Sequence, residues 1–196
     1  MIPLFHEPAR GYSLIELLLV VALATVLAGV AVPLTRGTVE ELRAAGAARH
    51  LAAIVADARL DAIRRSSSVG LRFESVGGDY RFRAYVDGNG NGLRTAEITS
   101  GIDRPLARAE RLSDEFPGVT LGLLAGIPDL DGGTASLDGV RVGSARILSV
   151  SPDGSCTGGT LYIRGVRSQY AVRILGATGR ARLFRFDRGS GLWTTS

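Results

Sequence analysis

This sequence has little cysteine and no lysine. It contains one cysteine, Cys156, and no lysine, because all 23 of its basic residues are arginine. A single cysteine excludes an intramolecular disulfide, and the lack of a cluster of Cys and His residues excludes a structural zinc site. We expect the Cys156 thiol to be packed and inert, and an intermolecular disulfide is the alternative.

Residue patterns that could form a catalytic centre are also missing. The sequence has no Ser/His/Asp, Cys/His or paired-His spacing, and its glycines do not fit a phosphate-binding loop between a strand and a helix. Of the two histidines, His50 lies among Ala and Leu residues on a predicted helix, where a structural imidazole is expected. The sequence therefore predicts a protein that is not an enzyme and needs no cofactor.

A second apolar run of membrane-spanning length is missing as well. The one long run, Leu17 to Thr35, has 19 residues without an ionisable side chain. As a helix it would extend about 28 Å, close to the thickness of the hydrocarbon layer of a bilayer. Glu16 stands at the head of the run, where an unpartnered carboxylate entering hydrocarbon would cost several kcal/mol. These features predict a transmembrane helix over residues 12–35 and require a partner for Glu16.

The order of the N-terminal segments differs from that of a secretory signal. The polar residues 1–10 come first, and the only plausible small-residue cleavage site, Gly11, precedes the apolar run instead of following it. Cleavage after Gly11 would therefore leave the helix on the protein. The sequence from Gly11 to Leu18, GYSLIELL, closely resembles the type IV prepilin motif shared by pilins and type II secretion pseudopilins.

This resemblance implies how the segment is processed and used. A prepilin peptidase would cut residues 1–11 from the chain, Tyr12 would become the N-methylated first residue, and Glu16 would be the fifth residue of the mature protein. The freed α-amino group and the Glu16 carboxylate could then neutralise each other between neighbouring subunits. Pro33 falls where many pilin helices carry a proline, which would loosen the helix. The alternative is an ordinary signal anchor with Glu16 in the headgroup layer.

Residues 36–66 predict the amphipathic second half of the same helix. Leu51, Ile54, Val55, Ala58 and Ala62 share one face, which we expect to pack on a globular domain. Residues 67–196 predict that domain to be rich in β-strands, with a mobile Gly/Asp-rich loop from residue 129 to residue 139. The strands are expected as a hairpin over residues 69–86, a short strand over 119–124, and a four-stranded antiparallel meander over 146–150, 160–164, 169–175 and 180–186.

The loop after the predicted hairpin has a partial calcium-binding pattern. Asp87, Asn89 and Asn91 place side-chain oxygens at alternate positions, and a glycine is sixth in the loop. The twelfth position is Ile98 instead of a carboxylate, with Glu97 one residue early. A polar loop without metal is therefore favoured over a calcium site.

Two segments of the domain are similar to signatures of the GspH/FimT family of minor pseudopilins and minor pilins. They are Tyr85 to Gly92, YVDGNGNG, and the stretch around Pro152 to Thr160, PDGSCTGGT. The resemblance implies an α+β, type IV pilin-like fold with one long N-terminal helix packed on an antiparallel β-sheet domain. It also implies a low-copy subunit without catalytic activity that is anchored once in the bacterial inner membrane. Its domain would be periplasmic or in a filament, and its partners would be other pilins or pseudopilins and a prepilin peptidase.

The positive charge is concentrated in the last quarter of the chain. Residues 12–140 contain 13 Arg against 16 Asp and Glu, whereas residues 141–196 contain 9 Arg against 2 Asp. The sequence Gly179 to Arg182, GRAR, also matches an element that is associated with DNA capture in FimT-like minor pilins. Two functions therefore remain open: a structural subunit of a secretion or pilus filament, and a minor pilin that binds DNA through arginines on alternate strand positions. The candidate DNA-binding residues are Arg173, Arg180, Arg182, Arg185 and Arg188.

Overall fold

The computed structural model describes residues 11–133 and 136–196, with the side chains of residues 30–36 left out. The predicted leader, residues 1–11, lies outside the described residues except for Gly11, and so does the side chain of Pro33. The chain divides into two compact units, Met1–Thr38 and Val39–Ser196.

The described residues contain three helices and eleven strands. The helices are α1 (Leu14–Arg65), α2 (Thr95–Ser100) and α3 (Leu112–Glu115). The strands are β1 (Val69–Val76), β2 (Asp79–Val86), β3 (Arg104–Pro105), β4 (Glu110–Arg111), β5 (Thr120–Leu121), β6 (Val140–Val142), β7 (Ile147–Val150), β8 (Gly159–Arg164), β9 (Gln169–Leu175), β10 (Arg180–Asp187) and β11 (Leu192–Thr195). One long N-terminal helix followed by antiparallel sheets confirms the predicted α+β, pilin-like fold class.

The predicted transmembrane half, residues 12–35, is helical from Leu14 onward. No helix among the described residues, however, has both the length and the apolar character needed to cross a bilayer.

The second unit is built on small and aliphatic side chains of α1. Ala44, Ala47, Ala48 and Leu51 are fully buried, and Val55 is nearly so. Alanines allow the strands to approach the helix closely, while Leu51 and Val55 fill the space between the sheets. Of the predicted apolar face, Leu51 and Val55 are buried with Ile54 packed against their cluster, and Ala58 and Ala62 are buried in a second cluster.

The first sheet contains the predicted hairpin. β1 pairs with β2 through a two-residue turn, Gly77–Gly78, in which both residues have positive φ, as hairpin turns of this length require. β3 and β4 pair with the outer edge of β2, and β7 pairs with the other edge of β1. The order is therefore β3-β2-β1-β7, with β4 paired to the same edge of β2 as β3, and every pairing is antiparallel.

The second sheet corrects the predicted four-stranded meander. Its order is β11-β10-β9-β8-β5, with β6 also paired to β8, and the strand that was expected to lead the meander, β7, belongs to the first sheet. The long connection from Ser151 to Gly158 lets β7 pair with β1 instead of with its successor. That pairing places Leu148 opposite Leu71, and both side chains are buried in the core.

The Gly/Asp-rich loop, which was expected to be mobile, is anchored at three aspartates in its described part. Asp129 is buried and accepts hydrogen bonds from Tyr162 and Arg141, and Asp131 pairs with Arg173. Asp138 accepts a 2.6 Å hydrogen bond from the hydroxyl of Tyr80 and a 3.0 Å bond from Arg146. Burial, followed by the hydrogen bond to Asp138, raises the pKa of Tyr80 to about 12. Polar contacts therefore anchor the described part of a loop that its Gly/Asp-rich composition predicted to be mobile.

Candidate assembly segment and arginine surface

The first candidate site is the N-terminal segment from Gly11 to Glu16. Residues 11–13 precede the helix, and α1 begins at Leu14 with the Ser13 carbonyl accepting hydrogen bonds from the N–H groups of Glu16 and Leu17. Glu16 therefore lies in the first helical turn, where the partial positive charge of the helix N-terminus favours a carboxylate. The Glu16 side chain is exposed.

The apolar side chains before and after Glu16 are also exposed. Leu14 is 77% exposed and Leu27 is 68% exposed, and large apolar residues in between are more than half exposed. An apolar surface of this extent marks a region that another apolar surface covers, either lipid or protein. The segment thus presents one carboxylate at the start of a long apolar helical surface.

The second candidate site is a row of arginines on the second sheet. Arg141 lies opposite Thr160, Thr160 opposite Arg173, and Arg173 opposite Arg182, so these four side chains cross β6, β8, β9 and β10 on one face. Arg180, two residues before Arg182 on β10, shares this face because side chains alternate along a strand. The opposite face carries the residues that pack towards α1, such as Val172 and Leu183.

Two arginines of this row are neutralised by the Gly/Asp-rich loop. Arg141 pairs with Asp129 and lies over the ring of Tyr162, 5.2 Å from the ring centroid. Arg173 donates to Asp131 at 2.6 Å. Nothing in the sequence indicated that Asp129 and Asp131 would come to these arginines, since more than 40 residues separate Asp131 from Arg173 along the chain.

The other two arginines, Arg180 and Arg182, are exposed and have no side-chain hydrogen bond or ion pair within the described part of the chain. Gly179 fixes the start of their strand: its φ is +63°, and a Cβ at this position would lie 2.6 Å from the Gly154 carbonyl oxygen. Only glycine fits so close an approach. Within this row, four arginines against two aspartates leave two net positive charges, at Arg180 and Arg182.

The predicted set of five arginines is not one surface. Arg185 faces the opposite side of β10 and donates to Glu41 of α1 at 2.6 Å, so the structure separates it from Arg180 and Arg182. Arg188 lies in the exposed turn after β10 and has no ion pair among the described residues. The strand alternation that predicted the Arg180 and Arg182 pair could also have excluded Arg185.

The candidate calcium loop is organised by its own hydrogen bonds. Oδ1 of Asp87 accepts from the N–H groups of Asn89 (3.0 Å) and Gly90 (2.8 Å), and Oδ2 accepts from Gly92 (2.6 Å). Burial alone would raise the pKa of Asp87, but these backbone donors outweigh it and hold the pKa below its usual value. The side-chain amides of Asn89 and Asn91 donate to Glu97. No group of three or more His, Cys, Asp or Glu side chains in the described residues could hold a metal ion.

The remaining candidates, His50 and Cys156, have structural environments. His50 Nε2 lies 3.3 Å from Glu115 and 3.6 Å from Glu110, and its ring packs on Phe116. The Cys156 thiol is partly buried, and burial raises its pKa, which lowers the fraction of reactive thiolate. Both environments agree with the structural roles predicted for these residues.

Parts of the chain are similar to known proteins. Residues 8–32 match the family described as the prokaryotic N-terminal methylation motif. The chain is also similar to the pilin-like protein PilA1 of Thermus thermophilus, with 45% identity over 84 residues. The aligned part is 42% of this chain and 51% of that protein, so the chain spans about half the length of the curated relative. No solved structure matches the chain significantly.

The methylation-motif match covers the N-terminal segment that contains Gly11 and Glu16. Neither match is specific to the GspH/FimT family, so that narrower assignment stays a prediction. Pilin-like proteins are structural subunits and not enzymes, in agreement with the predicted lack of catalytic activity. The methylation motif and the pilin-like relative together support a type IV pilin-type structural role for this chain.

Proposed function

We propose that this chain is a minor pseudopilin of the GspH type in a periplasmic type II secretion filament, or the equivalent minor pilin of a type IV pilus. The observation that carries the proposal is the methylation motif at residues 8–32, which contains Glu16 in the first turn of an exposed apolar helix. In this role the apolar helix is anchored in the inner membrane before assembly. Afterwards it packs laterally against the helices of neighbouring pilins or pseudopilins.

The first prediction concerns processing. When the chain is produced with a prepilin peptidase, we expect the mature protein to begin at Tyr12 with a methylated α-amino group, as measured by intact-protein mass spectrometry. Gly11→Leu should remain uncut. A Cβ at position 11 would have no atom within 4 Å, so the substitution changes what the peptidase meets and leaves the fold unchanged.

Gly37→Leu is the matched control for this experiment. Position 37 is equally open, with nothing within 4 Å of an added Cβ, and it lies away from the cleavage site. This variant should be cut like the natural chain. An unprocessed natural chain, or a mature N-terminus elsewhere, would overturn the proposal.

A second candidate function, DNA binding by a FimT-like minor pilin, is favoured by one observation. Arg180 and Arg182 are exposed on one face of β10, and no carboxylate of the described chain neutralises them. Guanidinium groups two residues apart on a strand can each donate two hydrogen bonds to backbone phosphates, which gives binding without sequence preference.

The second prediction tests this function by a gel shift with double-stranded DNA, using the full chain in a nonionic detergent. We expect binding that weakens from about 50 to about 200 mM salt, because neutralising phosphates releases counterions. The double variant Arg180→Ala/Arg182→Ala should lower the magnitude of the log–log salt slope by about 2, one for each phosphate that the variant no longer neutralises.

Two control variants distinguish DNA binding at Arg180 and Arg182 from attraction of DNA to the overall positive charge of the chain. The double variant Arg64→Ala/Arg65→Ala removes the same charge from two exposed residues at the end of α1 and should bind as the natural chain does. Arg185→Ala should also have no effect, since that side chain is held by Glu41 on the other face. Absence of binding at the lower salt concentration would leave only the structural role.

A further inference from the structure

A second arginine cluster lies on the outer face of the first sheet. Along β1 and β2, Leu71, Phe73 and Phe82 are buried in the core, and the alternate residues point away from it. The residues on this outer face are Arg72, Glu74, Arg81, Arg83 and Tyr85. The sequence carries the same signal here as on β10, since Arg81-Phe82-Arg83 repeats the alternate-arginine pattern of Arg180-Ala181-Arg182.

The strand register brings these arginines together. Arg72 is directly opposite Arg83, and Glu74 is directly opposite Arg81. Arg111 of β4 lies opposite Arg81 on the other side of β2. Like charges directly opposite each other destabilise a strand pair unless a counter-charge lies between them. The Arg72 and Arg83 pair is therefore a position where an anion would be stabilising.

A concave pocket of about 270 Å³ opens on this face. Three arginines, Arg72, Arg81 and Arg83, line it together with Glu74, Phe82, Tyr85 and Ala109. The pocket belongs entirely to the second unit of the chain.

Glu74 neutralises only part of this charge. Its Oε1 lies 3.4 Å from Nε of Arg72, and its Oε2 lies 3.1 Å from a terminal nitrogen of Arg81. Arg83 has no carboxylate partner in the described chain, and its buried Nε has no hydrogen-bond partner there. A buried charged group without a counter-charge is unfavourable, so an anion held close to the Arg83 guanidinium would be stabilising. Three arginines against one glutamate leave the pocket with two net positive charges.

We propose that this pocket binds a phosphate dianion, either free or as the terminal phosphate of a small monoester. The net charge of the pocket matches a dianion, and guanidinium groups form paired hydrogen bonds with phosphate oxygens. Arg83 lines the pocket and brings a guanidinium group that no carboxylate of the described chain neutralises. This inference does not depend on the proposed filament function or on DNA binding, because its residues lie in the other sheet from Arg180 and Arg182.

The third prediction tests the pocket by isothermal titration calorimetry of the full chain in nonionic detergent, at about pH 8 and constant ionic strength. We expect inorganic phosphate to bind, and Arg83→Ala to weaken its affinity by about tenfold to a hundredfold, as expected for loss of a charged hydrogen-bond donor. Arg83→Lys should bind more weakly than the natural chain, because lysine keeps the charge but lacks the planar fork.

Arg94→Ala is the matched control, because Arg94 is exposed, has no side-chain ion pair in the described chain and lies outside the pocket. It should bind phosphate as the natural chain does, and the thermal midpoints of all variants without phosphate show whether they are folded. If glycerol 3-phosphate binds as tightly as inorganic phosphate, the site accepts phosphate monoesters. If glycerol 3-phosphate binds much more weakly, the site is specific for free phosphate. The proposal fails if phosphate does not bind, if Arg83→Ala binds it unchanged, if Arg94→Ala loses as much affinity, or if acetate binds equally well.

Discussion

Replacing Glu16 with alanine is expected to prevent the chain from entering a filament while leaving residues 39–196 folded. In the proposed assembly the Glu16 carboxylate pairs with the α-amino group of a neighbouring subunit in a layer of low polarity. Removing one partner of such a pair typically costs about 3–5 kcal/mol, which corresponds to a hundredfold or greater loss in assembly. The measurement is the amount of chain recovered in sheared filaments, relative to the amount in the membrane fraction.

The control for this substitution is Glu40→Ala, which removes a carboxylate from the same helix. Glu40 lies beyond the apolar run and has no ion pair among the described residues, so this variant should assemble normally. Equal thermal unfolding midpoints for both variants in detergent show that the second unit is intact, as expected because its core contains no described residue before Ala44. Filament incorporation of Glu16→Ala at the natural level would contradict the proposed role of this carboxylate.

Replacing Gln169 with leucine is expected to lower the free energy of unfolding by about 3–5 kcal/mol, because several buried hydrogen bonds are removed together. Gln169 is 1% exposed, and its Nε2 lies 3.0 Å from the carbonyl oxygens of both Gly122 and Ile163. Its Oε1 accepts a 2.8 Å hydrogen bond from the N–H of Leu124. Leucine has a similar size but leaves these buried groups without partners, at about 1–3 kcal/mol for each one that finds no water.

Urea unfolding followed by tryptophan fluorescence measures this effect. The chain has one tryptophan, and Trp193 packs on Tyr162 and Phe186 in the same sheet as Gln169, so its emission reports on the affected region. Asn91→Leu also replaces an amide by an apolar side chain, but its one side-chain hydrogen bond, to Glu97, is exposed to water, so it should cost less than about 1 kcal/mol. If Gln169→Leu unfolds at the same urea concentration as the natural chain, the buried hydrogen bonds contribute little to the free energy of unfolding.

Gln169 also helps to position the loop that neutralises part of the arginine row. It holds residues 122–124, which begin the segment that continues to Asp129 and Asp131, and those aspartates neutralise Arg141 and Arg173. The contacts that position the loop therefore decide which arginines of the row keep an uncompensated charge, and the strand register alone does not.

Local sequence patterns predicted the elements of this fold well. The period of the apolar residues identified the buried face of α1, and the Gly77–Gly78 turn identified the β1–β2 hairpin. The positions of β8, β9 and β10 also followed from alternation and turn residues. These features depend on neighbouring residues in the chain, which is the range over which helix and strand periodicity acts.

The sequence did not allow us to predict which strands pair or which charged side chains form ion pairs. β7 was expected beside β8, but the long connection after Val150 allowed it to bury Leu148 against β1. Arg185 was grouped with Arg180 and Arg182, although the alternation of side chains along β10 places it on the opposite face, where it pairs with Glu41. The pocket at Arg83 was missed because the acidic residues of the first 140 positions hid a local excess of arginine.

The sequence by itself determined the N-terminal motif, because Gly11, Glu16 and the apolar run act through their order in the chain. It also determined the helix-then-strands organisation and the lack of catalytic residue patterns. Only the tertiary structure decided which arginines are free, since Asp129 and Asp131 neutralise Arg141 and Arg173 from distant positions in the chain. The physical reason is that charges compensate each other through space, over a few ångströms, whatever their separation in sequence.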